Sequence, residues 1–334
     1  MLKIGFIGCG GIARTHADRI KPLRNARIVA ASDVVGATAQ EFAADYGVEH
    51  HFDDYRKVLK IKEVDAIWVC TPTFRHAQPV IAAARAGKHV FCEKPMALKK
   101  ADAARMVEAC HQANVLLTIG FVRRFDTFWG KFKHVIQSGA VGRPVVWRFA
   151  AGGKPPHPWF RDRNKGGGPL IDAAIHNYDF ALQMFGPVSS VQSSSLQLDT
   201  TSVGADTATA ILNFESGDQH ALIWSWGVAA GTSVTSLNDF IGSKGTLQFG
   251  MTAQSAPPSF NPQKQGAFTL KAANGKEKVY TYRKKDMFAE QAKHVIRSFE
   301  RNEQPLVTAE DGIAALSVAD AVLKAGRSQS TVKI

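Results

Sequence analysis

Leu2-Lys3-Ile4-Gly5-Phe6-Ile7-Gly8-Cys9-Gly10-Gly11-Ile12-Ala13 decides the reading of the fold. An apolar run of strand length enters a cluster of glycines, and a helical pattern over residues 12–20 leaves it. Gly8, Gly10 and Ala13 fit G-x-G-x-x-G/A, with Gly11 and Ile12 inside the turn. The first glycine allows the tight bend, the second lets backbone N–H groups approach a pyrophosphate, and the small third residue permits close helix–strand packing. The helix then turns its positive end toward the diphosphate. The pattern therefore predicts a dinucleotide site built on Gly8, Gly10, Gly11 and Ile12. A second strand pattern, 27–31, leads to Asp33, twenty residues beyond Ala13. An acid there accepts hydrogen bonds from the adenosine ribose hydroxyls and repels a 2′-phosphate, which favours NAD over NADP. Ser32, Val34 and Val35 offer no arginine for such a phosphate. Asp33 also reads as a solvated turn residue at a strand end.

Outward from this turn, strand patterns at 66–70, 89–92 and 115–119 alternate with helical ones at 37–46, 54–59, 75–86 and 101–113. Such alternation with short connections marks βαβ units and a parallel sheet. Residues 1–120 are therefore expected to form a Rossmann domain, a doubly wound parallel sheet that binds NAD. Gly47 and Gly87 fall where helices should stop. After Gly120 the pattern changes. Helices at 126–138 and 170–185 flank a strand at 144–151 and a basic, Gly/Pro-rich loop at 152–168. Strand patterns then follow without helices between them, at 190–198, 207–214, 219–226, 233–241, 245–249, 268–272 and 278–282. Consecutive strands argue for a mostly antiparallel sheet. Residues 121–334 are expected to be an α+β substrate and oligomerisation domain with a large open sheet. Its final helices, 287–301 and 309–325, are free to pack back on the first domain.

Composition narrows the function. Of the 334 residues, 45% are apolar and 21% charged, which excludes a disordered or collagen-like chain and leaves room for two domains. No stretch approaches the ~20 apolar residues of a membrane helix, and the apolar start is too short for a signal peptide. A soluble, cytoplasmic protein without a membrane partner is expected. Lys and Arg exceed Asp and Glu by 41 − 29 = 12, yet no nucleic-acid motif accompanies the charge, so it reads as a positive surface. Cys9, Cys70, Cys92 and Cys110 form no CxxC pair and read as reduced structural thiols. Without HExxH or a Cys/His cluster, no metal is expected.

Cys70-Thr71-Pro72-Thr73 and Glu93-Lys94-Pro95 each follow a strand of the parallel sheet, and ligands of such sheets bind outside the carboxyl ends of the strands. Lys94 in that crevice can donate to a substrate hydroxyl or to the developing carbonyl oxygen. By itself, a Lys-Pro turn also reads as an exposed loop tip. Further on, Gly166-Gly167-Gly168-Pro169 precedes a helix whose Ile171, Ile175, Tyr178, Leu182 and Phe185 form a buried stripe. Asp172, His176, Asp179 and Gln183 share that spacing one residue along, which sets two carboxylates and an imidazole on an adjoining face. A histidine there can take a hydroxyl proton while hydride leaves the same carbon, with Asp172 orienting it. The same residues also read as a capping carboxylate and a satisfied histidine.

With these elements in order, the chain resembles the Gfo/Idh/MocA oxidoreductases, the family of glucose–fructose oxidoreductase and inositol dehydrogenase, over nearly its whole length. The glycine turn carries the resemblance, together with Thr71-Pro72 and His76, and with Ala86-Gly87-Lys88-His89-Val90-Phe91-Cys92-Glu93-Lys94-Pro95. Gly120-Phe121-Val122-Arg123-Arg124-Phe125-Asp126 and Gly167-Gly168-Pro169-Leu170-Ile171-Asp172 through His176 to Asp179 complete it. The Glu-Lys-Pro turn combined with Asp-x-x-x-His is specific to the family.

The resemblance implies that Lys94 and His176 are the catalytic pair and Asp172 their helper, with a Lys-Pro bond often cis. It adds cofactor contacts from Thr71, Pro72, His76, Glu93 and Lys94, and a homodimer or homotetramer formed through the C-terminal sheet. The expected reaction is NAD-dependent oxidation of a secondary hydroxyl of a cyclic polyol or sugar, inositol-, aldose- or sugar-acid-like, to a ketone or lactone. His176 removes the proton, Lys94 polarises the oxygen, and hydride passes to nicotinamide. Arg123, His157 and Trp159 are expected to contact substrate, Trp159 through an apolar face for a sugar ring. Trp159 also reads as a packed loop anchor, and Arg123 or Arg124 as a brace of the domain interface. Alternative readings are a redox-neutral, NAD-dependent glycoside-cleaving enzyme and a non-catalytic nucleotide-sensing protein.

Overall fold

The apolar run Leu2–Ile7 forms β1, and its residues are nearly all buried because helices cover both faces of the sheet it joins. A computed structural model describes residues 1–334 apart from 155–156, 230, 233 and 252–256. The chain divides into two units, Met1–Phe125 with Asp286–Leu316, and Asp126–Lys285 with Ser317–Ile334. In the first unit, β1 is followed by α1 (Gly11–Ile20), β2 (Ala26–Ser32), α2 (Gly36–Tyr46), β3 (His50–Phe52) and α3 (Tyr55–Leu59). Then come β4 (Ala66–Val69), α4 (Ala77–Arg85), β5 (His89–Cys92), α5 (Lys100–Gln112) and β6 (Leu117–Ile119). The six strands are parallel in the order β3-β2-β1-β4-β5-β6, so the strand order reverses between β1 and β4. Such a reversal opens a crevice at the strand ends. Gly47 and Gly87 end α2 and α4 with left-handed φ of 65° and 70°, a conformation that costs glycine little. β3 escapes the sequence pattern because three residues of an edge strand, two of them histidine, carry no period.

The second unit begins with α6 (Thr127–Gln137), whose first turn is capped by the Asp126 carboxylate accepting from the Phe128 N–H. β7 (Val146–Gly152), α7 (Ile175–Phe185), β8 (Val188–Leu196), β9 (Thr207–Phe214) and β10 (Gln219–Ser225) follow. β11 (Leu237–Gly242), β12 (Gly245–Phe249), β13 (Gln265–Ala272) and β14 (Glu277–Arg283) complete the run. The strand expected over 233–241 spans 237–242, and its expected first residue, Ser233, lies outside the described residues. α8 (Met287–Arg301), α9 (Ala309–Ser328) and β15 (Val332–Lys333) end the chain.

The nine-stranded sheet has the order β14-β13-β12-β11-β7-β10-β9-β8-β15. Among the described residues, only β7 and β10 pair in parallel; the other pairs are antiparallel. One face carries an aromatic core in which Phe132 of α6 lies 4.8 Å from Phe240, 5.2 Å from Phe249 and 4.6 Å from Phe268 between ring centroids. Phe132, Phe240 and Phe268 are fully buried, each contributing roughly 1.5–3 kcal/mol, whereas Phe249 at the margin stays partly exposed. α8 belongs to the first unit: Ala292, Val295, Ile296 and Phe299 share one apolar core with Phe6, Trp68 and Phe91. The division between the units falls inside α9. No helix among the described residues is long and apolar enough to cross a membrane.

One expected element begins later than its spacing predicts. The helix expected from residue 170 starts at Ile175. Gly167 and Gly168 take left-handed φ of 82° and 76°. The residues after them wind into a turn in which the Ala174 N–H reaches the Pro169 carbonyl (2.8 Å) and the Asp172 N–H the Gly168 carbonyl (2.9 Å). Asp172 therefore sits in a turn ahead of the helix that carries His176, not on that helix as its spacing predicts.

Candidate active site

Gly8 leaves β1 with φ of 90°, and a Cβ on it would fall 2.7 Å from the Cys70 carbonyl carbon and oxygen. Only glycine lets β1 and β4 end this close together. Gly10 caps α1 in an extended conformation with no side-chain hydrogen bond, and the first turn of the helix holds no acid. Nothing lies within 4 Å of where a Cβ on Gly10 or Gly11 would stand. The first turn of α1 thus has room beside Gly10 and Gly11 and carries no acid against its positive end, as a bound diphosphate needs. Ala13 is fully buried beneath this turn, and Ile12 packs against the same core. Asp33 follows β2 directly and grips the glycine turn, its Oδ2 accepting from the Cys9 N–H (2.9 Å) and its Oδ1 from the Val35 N–H (3.0 Å). Val34 and Val35 beside it are exposed. On these grounds the turn fits a dinucleotide.

β4 and β5 deliver the next two segments to the same end of the sheet. The Thr71 hydroxyl is buried without a hydrogen-bond partner, and Pro72 beside it is half-buried. His76 is buried, with Nε2 2.7 Å from the Thr71 carbonyl and Nδ1 2.9 Å from the Pro95 carbonyl. It ties the loop after β4 to the turn after β5. Burial holds its pKa below the usual value, although both carbonyls favour the charged ring. The Lys94–Pro95 bond is cis, as the resemblance implied. Lys94 is half-buried, and its backbone N–H donates to Glu93 Oε2 (3.0 Å). Glu93 is buried, with Oε1 2.7 Å from His16 Nε2. All four cysteines are free and buried, and burial pushes the Cys9 and Cys110 thiols up to about 12, so they are inert structural groups.

Arg123 is half-buried in the short turn after β6, Val122–Phe125. Arg124 beside it forms an ion pair with Asp311 at 2.8 Å and donates to the Leu306 carbonyl (3.3 Å), so this arginine braces the first unit internally.

In the second unit, Gly166 packs against the Phe160 backbone so closely that a Cβ would lie 2.5 Å from the Phe160 Cα. The turn then brings in Asp172, which is buried, and His176, half-buried in the first turn of α7. Asp179, one turn further, is buried and accepts from Gln183 Nε2 (3.2 Å). The basic loop ahead of them is anchored through the Arg163 N–H on the Val203 carbonyl (3.0 Å) and an ion pair between Arg161 and Asp199. His157 is exposed and its Nδ1 accepts from the Trp159 N–H (3.3 Å). Trp159 stacks on Phe160 with ring centroids 3.8 Å apart. A recess of about 590 Å³ is lined by Lys154, His157, Pro158, Arg161, Asp199 and Trp226 among others. Pro155 and Pro156 of this loop lie outside the described residues.

Two residues of these surroundings were not read from the sequence. Trp226 follows a strand and carries no local signal. His16 had one: it interrupts the buried face of α1 formed by Ala13, Ala17 and Ile20, and a polar residue in an apolar stripe needs a buried partner.

Residues 2–121 match a family described as "Oxidoreductase family, NAD-binding Rossmann fold", and residues 129–248 match the "GFO/IDH/MocA C-terminal domain". The chain is 32% identical to the myo-inositol 2-dehydrogenase of Thermotoga maritima, over 100% of this chain and 98% of that protein. It is 26% identical to the inositol 2-dehydrogenase of Rhizobium meliloti, over 100% and 99%. A crystal structure of a probable dehydrogenase from Thermotoga maritima superposes with a TM-score of 0.79 at 32% identity, covering 99% of this chain and 98% of that one.

Proposed function

This chain belongs to the Gfo/Idh/MocA oxidoreductases, NAD-dependent enzymes, and we propose that its own reaction is oxidation of a secondary hydroxyl on a cyclic polyol or sugar. Inositol-, aldose- and sugar-acid-like rings are the candidate substrates, with a ketone or lactone as product. NAD, when bound, supplies the hydride acceptor. The α1 N-terminus, at Gly10 and Gly11, holds the diphosphate, and Asp33 accepts from the adenosine ribose. His176 takes the hydroxyl proton, Lys94 donates a hydrogen bond to the oxygen as it becomes a carbonyl, and Asp172 orients the imidazole. Arg123, His157 and Trp159 contact the substrate.

What carries the reading is the Lys94 turn following β5 in the sheet whose β1 ends in the glycine turn. Whole-length likeness to inositol 2-dehydrogenases supports the substrate class. We also propose a homodimer or homotetramer through the nine-stranded sheet, since Leu196, Ile223 and Leu237 on its strands are exposed. Light scattering giving a monomer would count against it.

The test is NADH absorbance with NAD and a panel of inositols, pyranoses and sugar acids. Turnover on a cyclic polyol or sugar is expected, and Lys94→Ala or His176→Ala should lower kcat about 100-fold or more with little change in NAD affinity. No turnover across the panel, or full turnover in both variants, would refute the proposal.

A further inference from the structure

We infer that His16 and Glu93 form a buried positioning clamp for the turn that carries Lys94; its predicted effect on turnover rests on the role proposed for Lys94 above, while its geometry does not. His16 is 1% exposed, and its ring is wedged edge-on between Phe91 and Phe288, with centroids 4.9 and 5.6 Å away. That wedge aims Nε2 at Glu93 Oε1, 2.7 Å off. The other carboxylate oxygen accepts the Lys94 backbone N–H at 3.0 Å. Gly120 closes the remaining side: a Cβ there would stand 2.9 Å from Oε1 and 3.1 Å from Oε2. The carboxylate is thus held from three directions and has no room to swing. One residue past Lys94, the Pro95 carbonyl is held by His76 at 2.9 Å, so the backbone on both sides of Lys94 is fixed by a buried polar contact.

The arrangement has a consequence for chemistry. A lysine side chain is long and flexible, and its amine is delivered reproducibly only if its backbone is rigid. A buried carboxylate stripped of one partner is strongly disfavoured and rearranges to find another. His16 stands on α1, the helix whose first turn faces the diphosphate space, and Glu93 directly precedes Lys94. The pair therefore couples the phosphate-binding helix to the Lys94 turn without touching the reacting atoms. His16 and Glu93 are positioning residues.

His16→Phe fills the volume and removes the donor, whereas His16→Gln restores an N–H at similar reach. Gly120→Ala crowds the carboxylate from the opposite side and serves where His16→Phe fails to fold. Hydrogen exchange over residues 90–98, measured on the full chain with and without NAD, needs no substrate. Exchange there should quicken at least ~10-fold in His16→Phe and Gly120→Ala and return to within about threefold of the parent in His16→Gln. With NAD and myo-inositol, or the best substrate of the panel, kcat should fall about 10- to 100-fold in the first two variants while KM for NAD stays within about threefold. Unchanged exchange and kcat in His16→Phe and Gly120→Ala would overturn the clamp. So would equal losses in His16→Gln and His16→Phe, which would mark a packing role. Should Lys94→Ala keep full turnover, the role of Lys94 fails while the exchange measurement still judges the clamp.

Discussion

Gly8 and Gly10 stand two residues apart in one motif, yet replacing each by alanine should break different things. At Gly8 the backbone has φ of 90°, and the added Cβ would meet the Cys70 carbonyl at 2.7 Å and the Thr71 nitrogen at 2.9 Å. Those neighbours are backbone of the adjoining strand end and cannot step aside cheaply. A left-handed alanine costs about 1–3 kcal/mol and overpacking against backbone about another 1–3. Gly8→Ala should therefore destabilise the protein before any cofactor is added, by roughly 2–6 kcal/mol, lowering Tm on the order of 5–20 °C. Gly10 is the opposite case. Its φ of −73° and ψ of −169° suit any residue, and nothing lies within 4 Å of a Cβ there. Gly10→Ala should leave the cofactor-free protein within about 1 kcal/mol of the parent while its methyl intrudes on the diphosphate space, raising the NAD Kd about tenfold or more. Thermal unfolding of the cofactor-free proteins and calorimetric NAD titration separate the two effects. A Gly8→Ala protein as stable as the parent, or a Gly10→Ala protein that binds NAD normally, would refute the assignment of separate roles.

Asp33→Ser with Val34→Arg removes the acid proposed to accept from the ribose and adds a guanidinium; calorimetry should show the ratio of NADP to NAD affinity rising at least ~10-fold, and an unmoved ratio would count against Asp33 as the discriminating residue. Asp206, fully buried, accepts from the Leu198 and Asp199 N–H groups and from the Ser202 and Thr207 hydroxyls, so Asp206→Ala should cost about 2–4 kcal/mol in urea unfolding, and a loss under ~1 kcal/mol would show that those donors find other partners. Burial against Trp147 pushes the His220 pKa down to about 3 from 6.5. Because the unfolded chain then binds more protons between about pH 6.5 and 3, the stability due to the neutral ring is full above that window and declines as pH falls through it, by up to ~1.4 kcal/mol per pH unit. In His220→Gln this acid slope should flatten, and identical pH profiles for parent and variant would exclude His220 as its source.

Much of the first unit was legible because its signals are local. The glycine turn, the left-handed stops at Gly47 and Gly87, and alternating strand and helix periods each decide backbone conformation within a few residues. The aspartates that cap α3, α6 and α8 act over the same short range, each accepting from an N–H two residues on. The antiparallel character of the second sheet was equally plain from strands that follow one another without helices. Local signals were misleading where two left-handed glycines and a proline compete with helical spacing, and α7 consequently starts at Ile175 and leaves Asp172 in the turn before it.

The amino-acid sequence by itself determined a parallel nucleotide-binding sheet, an acid at the end of its second strand, a lysine turn after the strand at 89–92 and a separate, largely antiparallel sheet. Only the tertiary structure decided which buried groups answer one another across long separations. His16 meets Glu93 across 77 positions, Asp33 grips the Cys9 N–H across 24, β7 lies parallel to β10, and α8 completes the apolar core of the first unit. The reason is physical: backbone conformation follows from neighbours along the chain, whereas the pairing of a buried carboxylate or imidazole follows from whichever distant group packing brings within 3 Å, and no period in the sequence records that choice.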